Sequence, residues 1–497
     1  MRVSSKRWLS ILLAGLMLLP TASCAKPDGD VDGDKVTTAS VGTATEEETL
    51  DPDYVCDLPS DLDYGKKTVT MLYPQKSKSE LVSDSLGKGG SITDAVYERN
   101  LAVENQLNIQ LDFTDRDDHV AVRDYISTIV QSGDTSIDLF SLGVYVCMEP
   151  MLSGCYLNLN EMEYLDLSKH YWTQDFNGMM TFTDENLQFV ATSPIALSLF
   201  RNGYLTIFNR DLFRDRGITD LYEAVDNGIW TLEYQGKLIA DQWYDADGNG
   251  TKSEGDFYGF ITDKLIRTDG YAVSSDIHLV EQDEDGYMIY NADRLDRFIL
   301  MAEKVSALYN SQGTYAFASG GVMGKFVREE GLMGTVLFDE LEGQIEALTE
   351  ISYGIAPLPK LTVEQPAYHT YIQDGVSCFG ISAAVSDVEH QDMLGAVLES
   401  MSYHSYTIVR PAYYDSALSL RFMQDPESRY ILDMMFETFS FDYCYATGLA
   451  GIRDSMREVV SSPNPSIASS IKKWEKAMKN QLMKEKKSLD RLATQSQ

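Results

Sequence analysis

Positive charge is what this chain has least of. Its 497 residues carry 41 Lys+Arg against 76 Asp+Glu, a formal net charge of −35 and a pI near 4.4. A polyphosphate partner requires a basic surface that releases counterions, so the balance argues against nucleic acid. It argues equally against electrostatic docking on anionic lipid. Cysteine is scarce too. The six are Cys24, Cys56, Cys147, Cys155, Cys378 and Cys444. They show no CxxC pair and no short repeated spacing, which excludes a disulfide scaffold and a zinc motif. Cys147 and Cys155 are close enough for a local pair, but free buried thiols are the preferred reading. The six histidines form no HExxH, and there is no GxSxG, P-loop or dinucleotide glycine fingerprint. Two carboxylates could serve a glycoside hydrolase, yet among 76 acids such a pair identifies nothing. The chain therefore reads as a non-enzyme. No internal repeat and no central low-complexity linker divide it.

What is present points to a large exported globular protein. The length suggests two or three domains, and 44% hydrophobic with 11% aromatic residues sets it apart from disordered chains. Arg2, Lys6 and Arg7 precede an apolar run, Trp8–Pro20, too short for a permanent membrane span. Thr21-Ala22-Ser23-Cys24 then resembles a bacterial lipobox, with Thr21 where an aliphatic residue is usual. That resemblance implies lipidation of Cys24 after removal of residues 1–23. Simple secretion with cleavage near Ala22 or Ser23 is the alternative. The removed segment holds three of the 41 bases and no acids, leaving −38 on the mature chain. Residues 25–63 hold twelve carboxylates against Lys26 and Lys35. Such a stretch cannot bury enough surface to fold, so residues 24–65 read as a solvated tether.

From there strands and helices alternate. Thr68–Tyr73 is a short β-rich run, Thr93 can cap a helix reaching Leu107, and Ile109, Leu111 and Phe113 alternate as a strand. A helix over 120–131 ends at Gly133, and Ile137–Ser141 reads as a buried strand. Successive β-α-β units imply a mostly parallel sheet flanked by helices, with ligand beyond the strands' carboxyl ends. A second cluster begins with Tyr204–Phe208 and includes a helix near 231–241, Leu332–Phe338 and Tyr353–Lys360. Strand character returns at 375–385, followed by a helix near 389–404. The last helix spaces Ile471, Trp474, Met478, Leu482 and Leu489 as a buried stripe opposite a lysine-rich solvated face.

Several of these stretches together resemble the extracellular solute-binding proteins of carbohydrate ABC transporters. They are Tyr204–Phe213 (YLTIFNRDLF), Asn227–Glu233 (NGIWTLE, without the usual Pro), Asp245–Phe260 (DADGNGTKSEGDFYGF) and Tyr353–Lys360 (YGIAPLPK). Each is weak alone, but their order covers nearly the whole mature chain. The resemblance implies an α/β fold of two lobes joined by hinge crossings near Ser193–Ala196. The first lobe would hold 66–197 and 361–408, and the second 198–360 and 409–497. It further implies a monomer that hands a carbohydrate to membrane permease subunits. A peptide or other non-sugar ligand, or an adhesin or sensor partner outside transport, are the alternatives.

The most specific local signal is the loop at 245–256. Asp245, Asp247, Asn249, Thr251 and Asp256 take positions 1, 3, 5, 7 and 12 of an EF-hand-type calcium loop, with Gly250 at the bend. Position 12 is Asp rather than Glu, and Glu254 could complete the shell. Proteins of the resembled family use such a loop for structural Ca2+. By contrast, Asp283–Gly286 before Tyr287–Tyr290 reads as a hairpin turn. For the ligand, sugar recognition needs aromatic faces and planar polar groups. Position near a strand end or crossing selects Tyr73, Tyr145, Trp172, Tyr413 and Tyr414 from a chain with 29 tyrosines. Trp230 and Trp243 are read as packing.

Overall fold

The computed structural model describes residues 54–83, 91–183, 186–419 and 426–495. The export segment, Cys24 and the acidic stretch before residue 54 lie outside the described residues.

The first lobe opens β1 (Lys67–Pro74), α1 (Ser91–Leu107), β2 (Ile109–Arg116), α2 (His119–Ser132), β3 (Leu139–Gly143) and α3 (Val144–Leu152). Local chemistry sets these boundaries. The Asp118 carboxylate accepts the Ala121 amide at 2.8 Å to start α2. Gly133 ends it at φ 68°, a left-handed conformation that favours glycine. In α2 Val122, Ile126 and Ile129 are buried, one apolar stripe at helical spacing.

The second lobe follows with β4 (Tyr204–Asn209), α4 (Leu232–Ile239), β5 (Trp243–Tyr244), β6 (Phe257–Asp263), β7 (Val280–Gln282), β8 (Met288–Tyr290), α5 (Leu295–Tyr309), β9 (Thr314–Phe317), β10 (Gly331–Leu337) and β11 (Tyr353–Ala356). The chain then returns through β12 (Thr370–Tyr371) to β13 (Ser377–Ile381) and α6 (Val388–His404). It finishes with α7 (Arg410–Ser419), α8 (Pro426–Glu437), β14 (Phe439–Ser440), α9 (Tyr443–Thr447), α10 (Ile452–Ser461) and α11 (Ile467–Gln495).

Two sheets result. The first has the order β13-β3-β1-β2, with β1 parallel to β2 and β3, and β13 antiparallel. The second has the order β9-β6-β10-β4-β11, with β5 added beside β6. There β6 is parallel to β9 and β10, while β4 runs against β10 and β11. The β7–β8 pair is the hairpin expected around Asp283–Gly286. Strands such as Leu139–Gly143 and Tyr204–Asn209 are buried along their whole length, as sheets covered by helices on both faces require.

Two expectations change. Residues 54–65 are not tether: Leu58, Leu62 and Tyr64 pack against the core, and the Tyr64 amide donates to the Leu107 carbonyl at 3.0 Å. Three apolar side chains among the acids suffice to dock the segment. The chain after residue 409 also does not follow one lobe. Helix α7 packs on α1 of the first lobe and α8 on β11 of the second, while α11 touches both α3 and α5.

Candidate functional site

Both sheets aim their carboxyl ends at the same crossing segments. β13 begins at Ser377 opposite Gly143, the last residue of β3. β4 begins at Tyr204 opposite Leu337, the last residue of β10. Gly203 bridges Ile372, so the two crossings run side by side between these ends. In open α/β sheets this is where ligands sit.

On the first-lobe side, the Gly143 amide donates to His119 Nδ1 at 2.6 Å. That bond places the ring proton on Nε2, which is buried and has no partner among the described residues. Burial, with Lys76 adding, pushes the His119 pKa down to about 3, so the imidazole is a neutral donor. The Tyr145 ring stands edge-on to it at 5.6 Å. A Cβ on Gly143 would come within 2.8 Å of Tyr145 Cε1, so the glycine makes room for that ring. Tyr145 is in the first turn of α3 rather than in a loop, and its amide donates to the Asp374 carbonyl of the crossing at 3.2 Å.

On the second-lobe side, Tyr204 and Tyr371 stack at 5.4 Å and Tyr445 meets Tyr371 edge-on at 6.3 Å. Arg453, Arg457, Arg267 and Arg201 each have a carboxylate partner. Arg453 pairs with Asp374, and Arg457 Nη2 with Asp269 Oδ2 at 3.0 Å. Buried Arg267 is held between Asp263 and Glu340 and donates to the Thr335 carbonyl at 2.7 Å. Arg201 spans the lobes: Nη1 donates to Ser79 Oγ at 2.9 Å, and Nε lies 3.1 Å from Glu342. Burial pushes the Asp269 carboxyl up to about 6 even though Arg457 and Arg453 oppose it. Burial, with Glu340 and Glu342 adding, does the same to Asp339. The tyrosine stack is itself buried, but the partly exposed pairs Arg453–Asp374 and Arg201–Glu342 offer directed hydrogen bonds without excess charge, which suits a neutral hydroxylated ligand.

Of the five aromatic candidates, Tyr145 and Tyr414 are half-exposed, and Tyr145 sits against the crossing at Asp374. Tyr73 is at the right strand end, but its ring is buried edge-on to Phe113. Trp172 is 1% exposed, its Nε1 donating to Glu399 Oε2 at 3.0 Å. Tyr413 is buried, stacks on Phe200 at 5.0 Å and donates to Glu342 at 2.7 Å. The Tyr414 hydroxyl is bonded to Asp433. Strand-end position fixes a backbone location, but alternate residues point to opposite faces, and only the fold decides which ring is free. His119, Arg201, Tyr371 and Arg453 carry no motif; Tyr204 shows as a strand residue and as the start of the family-like stretch Tyr204–Phe213, with no sign of a site role.

The loop at 245–256 connects β5 to β6. The carboxylates of Asp245, Asp247 and Asp256 offer oxygens all within 4.8 Å of one another. Asp245 accepts the Gly248 and Gly250 amides at 2.8 and 2.6 Å, and both glycines have positive φ, 73° and 75°. Asn249 Oδ1 accepts the Thr251 amide at 2.7 Å. Burial alone would raise the Asp256 carboxyl, but the Ser253 and Ala246 amides and Trp243 hold it below the usual range. Glu254 stands outside the carboxylate trio. The donor set is anionic oxygen on a glycine-bent loop, and it fits a hard divalent cation.

The five cysteines among the described residues are unbonded thiols, Cys147 and Cys155 included. No helix among the described residues is long and apolar enough to cross a membrane.

No protein-family model and no curated protein matches the chain. Solved structures do. A family 1 extracellular solute-binding protein from Bifidobacterium longum subsp. infantis superposes with TM-score 0.55 at 14% identity, over 83% of this chain and 99% of that one. The sugar-binding protein MalE from Xanthomonas citri gives 0.57 at 14%, over 85% and 99%. The galacto-N-biose-/lacto-N-biose I-binding protein of a Bifidobacterium longum ABC transporter, in complex with lacto-N-biose, gives 0.55 at 12%, over 85% and 98%. At these identities the likeness is one of fold: the chain has the two-lobe α/β architecture of the MalE-like extracellular solute-binding proteins.

Proposed function

We propose that this protein is the substrate-binding lipoprotein of an ABC importer, capturing a carbohydrate of oligosaccharide size between its lobes. The observation that carries the reading is the strand-end cleft. There half-exposed Tyr145 lies against the crossing, its amide on the Asp374 carbonyl, and the Asp374 carboxylate pairs with Arg453. The ring offers a face for pyranose C–H groups, and the ion pair accepts and donates without selecting an ion. The fold shared with sugar-binding proteins supports the same ligand class.

Ligand touching both lobes favours the closed form by its differential affinity for that form. Permease subunits on other chains then read the closed surface. The Cys24 lipid holds the acidic body at the outer face of the membrane, with the stretch before residue 54 as spacer. Asp245, Asp247, Asn249, Thr251 and Asp256, with Glu254 in reserve, hold a structural Ca2+ in the second lobe.

A thermal-shift screen over mono- and oligosaccharides, with and without EDTA, tests both parts. An oligosaccharide should raise Tm in the wild type and fail to do so in Tyr145→Ala. A screen in which amino acids or peptides shift Tm and no saccharide does would replace the ligand class.

A further inference from the structure

A second cavity, of about 440 Å³, opens beside the crossing at Pro194, and neither Tyr145 nor Arg453 lines it. Its walls come from both lobes. His170 lies on a first-lobe loop, and Tyr406 and Arg410 lie where the chain turns into α7, which packs on α1. Phe436 and Glu437 end α8, which packs on the second lobe. Between them the crossing residues Pro194 and Phe200 form the floor. The volume enclosed therefore depends on the angle between the lobes.

The lining combines ring faces with directed polar groups. Tyr54 stacks on His170 at 4.6 Å and tilts toward Tyr406 at 6.0 Å. The Arg410 guanidinium sits over the Tyr406 ring at 5.0 Å and is itself exposed. Glu437 and Asp175 add carboxylates to the lining, one Asp175 oxygen already accepting the Phe441 amide at 2.7 Å. One guanidinium against two carboxylates does not attract an anion. A cavity of this size with aromatic walls and both donors and acceptors fits a neutral hydroxylated ring.

We propose that this cavity is a second binding site, for a neutral ligand of the saccharide class. Sugar binding in the strand-end cleft is not required for this. The test is saturation-transfer NMR on the mature chain with glucose, maltose and maltotriose as probes at millimolar concentration, in wild type, Tyr406→Ala, Arg410→Ala and Tyr145→Ala. Arg410 is exposed, so Arg410→Ala should keep the wild-type Tm and serves as the folding-neutral variant. The expected result is saturable transfer that weakens about tenfold in Tyr406→Ala and Arg410→Ala and persists in Tyr145→Ala. Transfer lost only in Tyr145→Ala would confine binding to the cleft and overturn the second site. Absence of saturable transfer from all three sugars in the wild type would overturn it as well. Persistence in Tyr145→Ala with loss in Arg410→Ala would support the second site even if the cleft takes another ligand.

Discussion

Glu399 shows how much a single buried carboxylate can govern. It is 3% exposed and bonded by the Tyr171 hydroxyl and Trp172 Nε1. Burial pushes its pKa up to about 7 from 4.5, although both hydrogen bonds work the other way. The folded state therefore binds this proton more tightly than the unfolded one. Stability from this group is full below about pH 4.5, falls as pH rises toward 7, and is flat above. The total is on the order of 3 kcal/mol. Urea unfolding at pH 5 and pH 8 should show Glu399→Gln losing less stability across that interval than the wild type, and an unchanged difference would refute the assignment. At the cleft, Tyr145→Ala should weaken saccharide binding at least tenfold by calorimetry while leaving Tm within a few degrees, because the ring is half-exposed. The sequence made Tyr145 and Trp172 look equivalent, both aromatic and both near a strand end or loop. What separates them is a partner 227 residues away, Glu399, and no local pattern carries that information.

Elements were more legible than residues, because periodicity reports one buried face. The stripe of Ile471, Trp474, Met478, Leu482 and Leu489 is buried along α11, and Gly133 ends α2 where a left-handed residue is required. Trp474 is 2% exposed and meets Phe298 and Tyr290 edge-on. Trp474→Ala should cost about 3–5 kcal/mol by chemical denaturation; a loss below about 1 kcal/mol would mean that α11 is not docked. Close approach of backbones was not legible at all. A Cβ on Gly313 would fall 1.8 Å from the Ile239 carbonyl oxygen, so Gly313→Ala should destabilise through displacement of α4 from β9. The 245–256 loop was read from its spacing, and its carboxylates do converge. Calcium should raise Tm in the wild type and not in Asp247→Asn, read by scanning calorimetry with chelator as control. A wild-type melting temperature indifferent to calcium and to EDTA would remove the ion.

At the scale of the whole molecule, alternating strands and helices announced two α/β sheets, and the described chain has them. The division of the last ninety residues between lobes was not visible, since amphipathic helices state that they dock without stating where. Their docking matters for motion. α11 reaches α3 of the first lobe and α5 of the second, so opening must slide or bend this contact while the paired crossings flex. The net charge of −35 makes copies of the chain repel one another. Closure on a bound carbohydrate is the claim on which the rest depends. Small-angle scattering of the mature chain, with and without a saccharide verified to bind, measures it directly. The radius of gyration should fall on saturation in the wild type and stay constant in Tyr145→Ala at the same sugar concentration. A wild-type radius unchanged at full occupancy would contradict capture between the lobes.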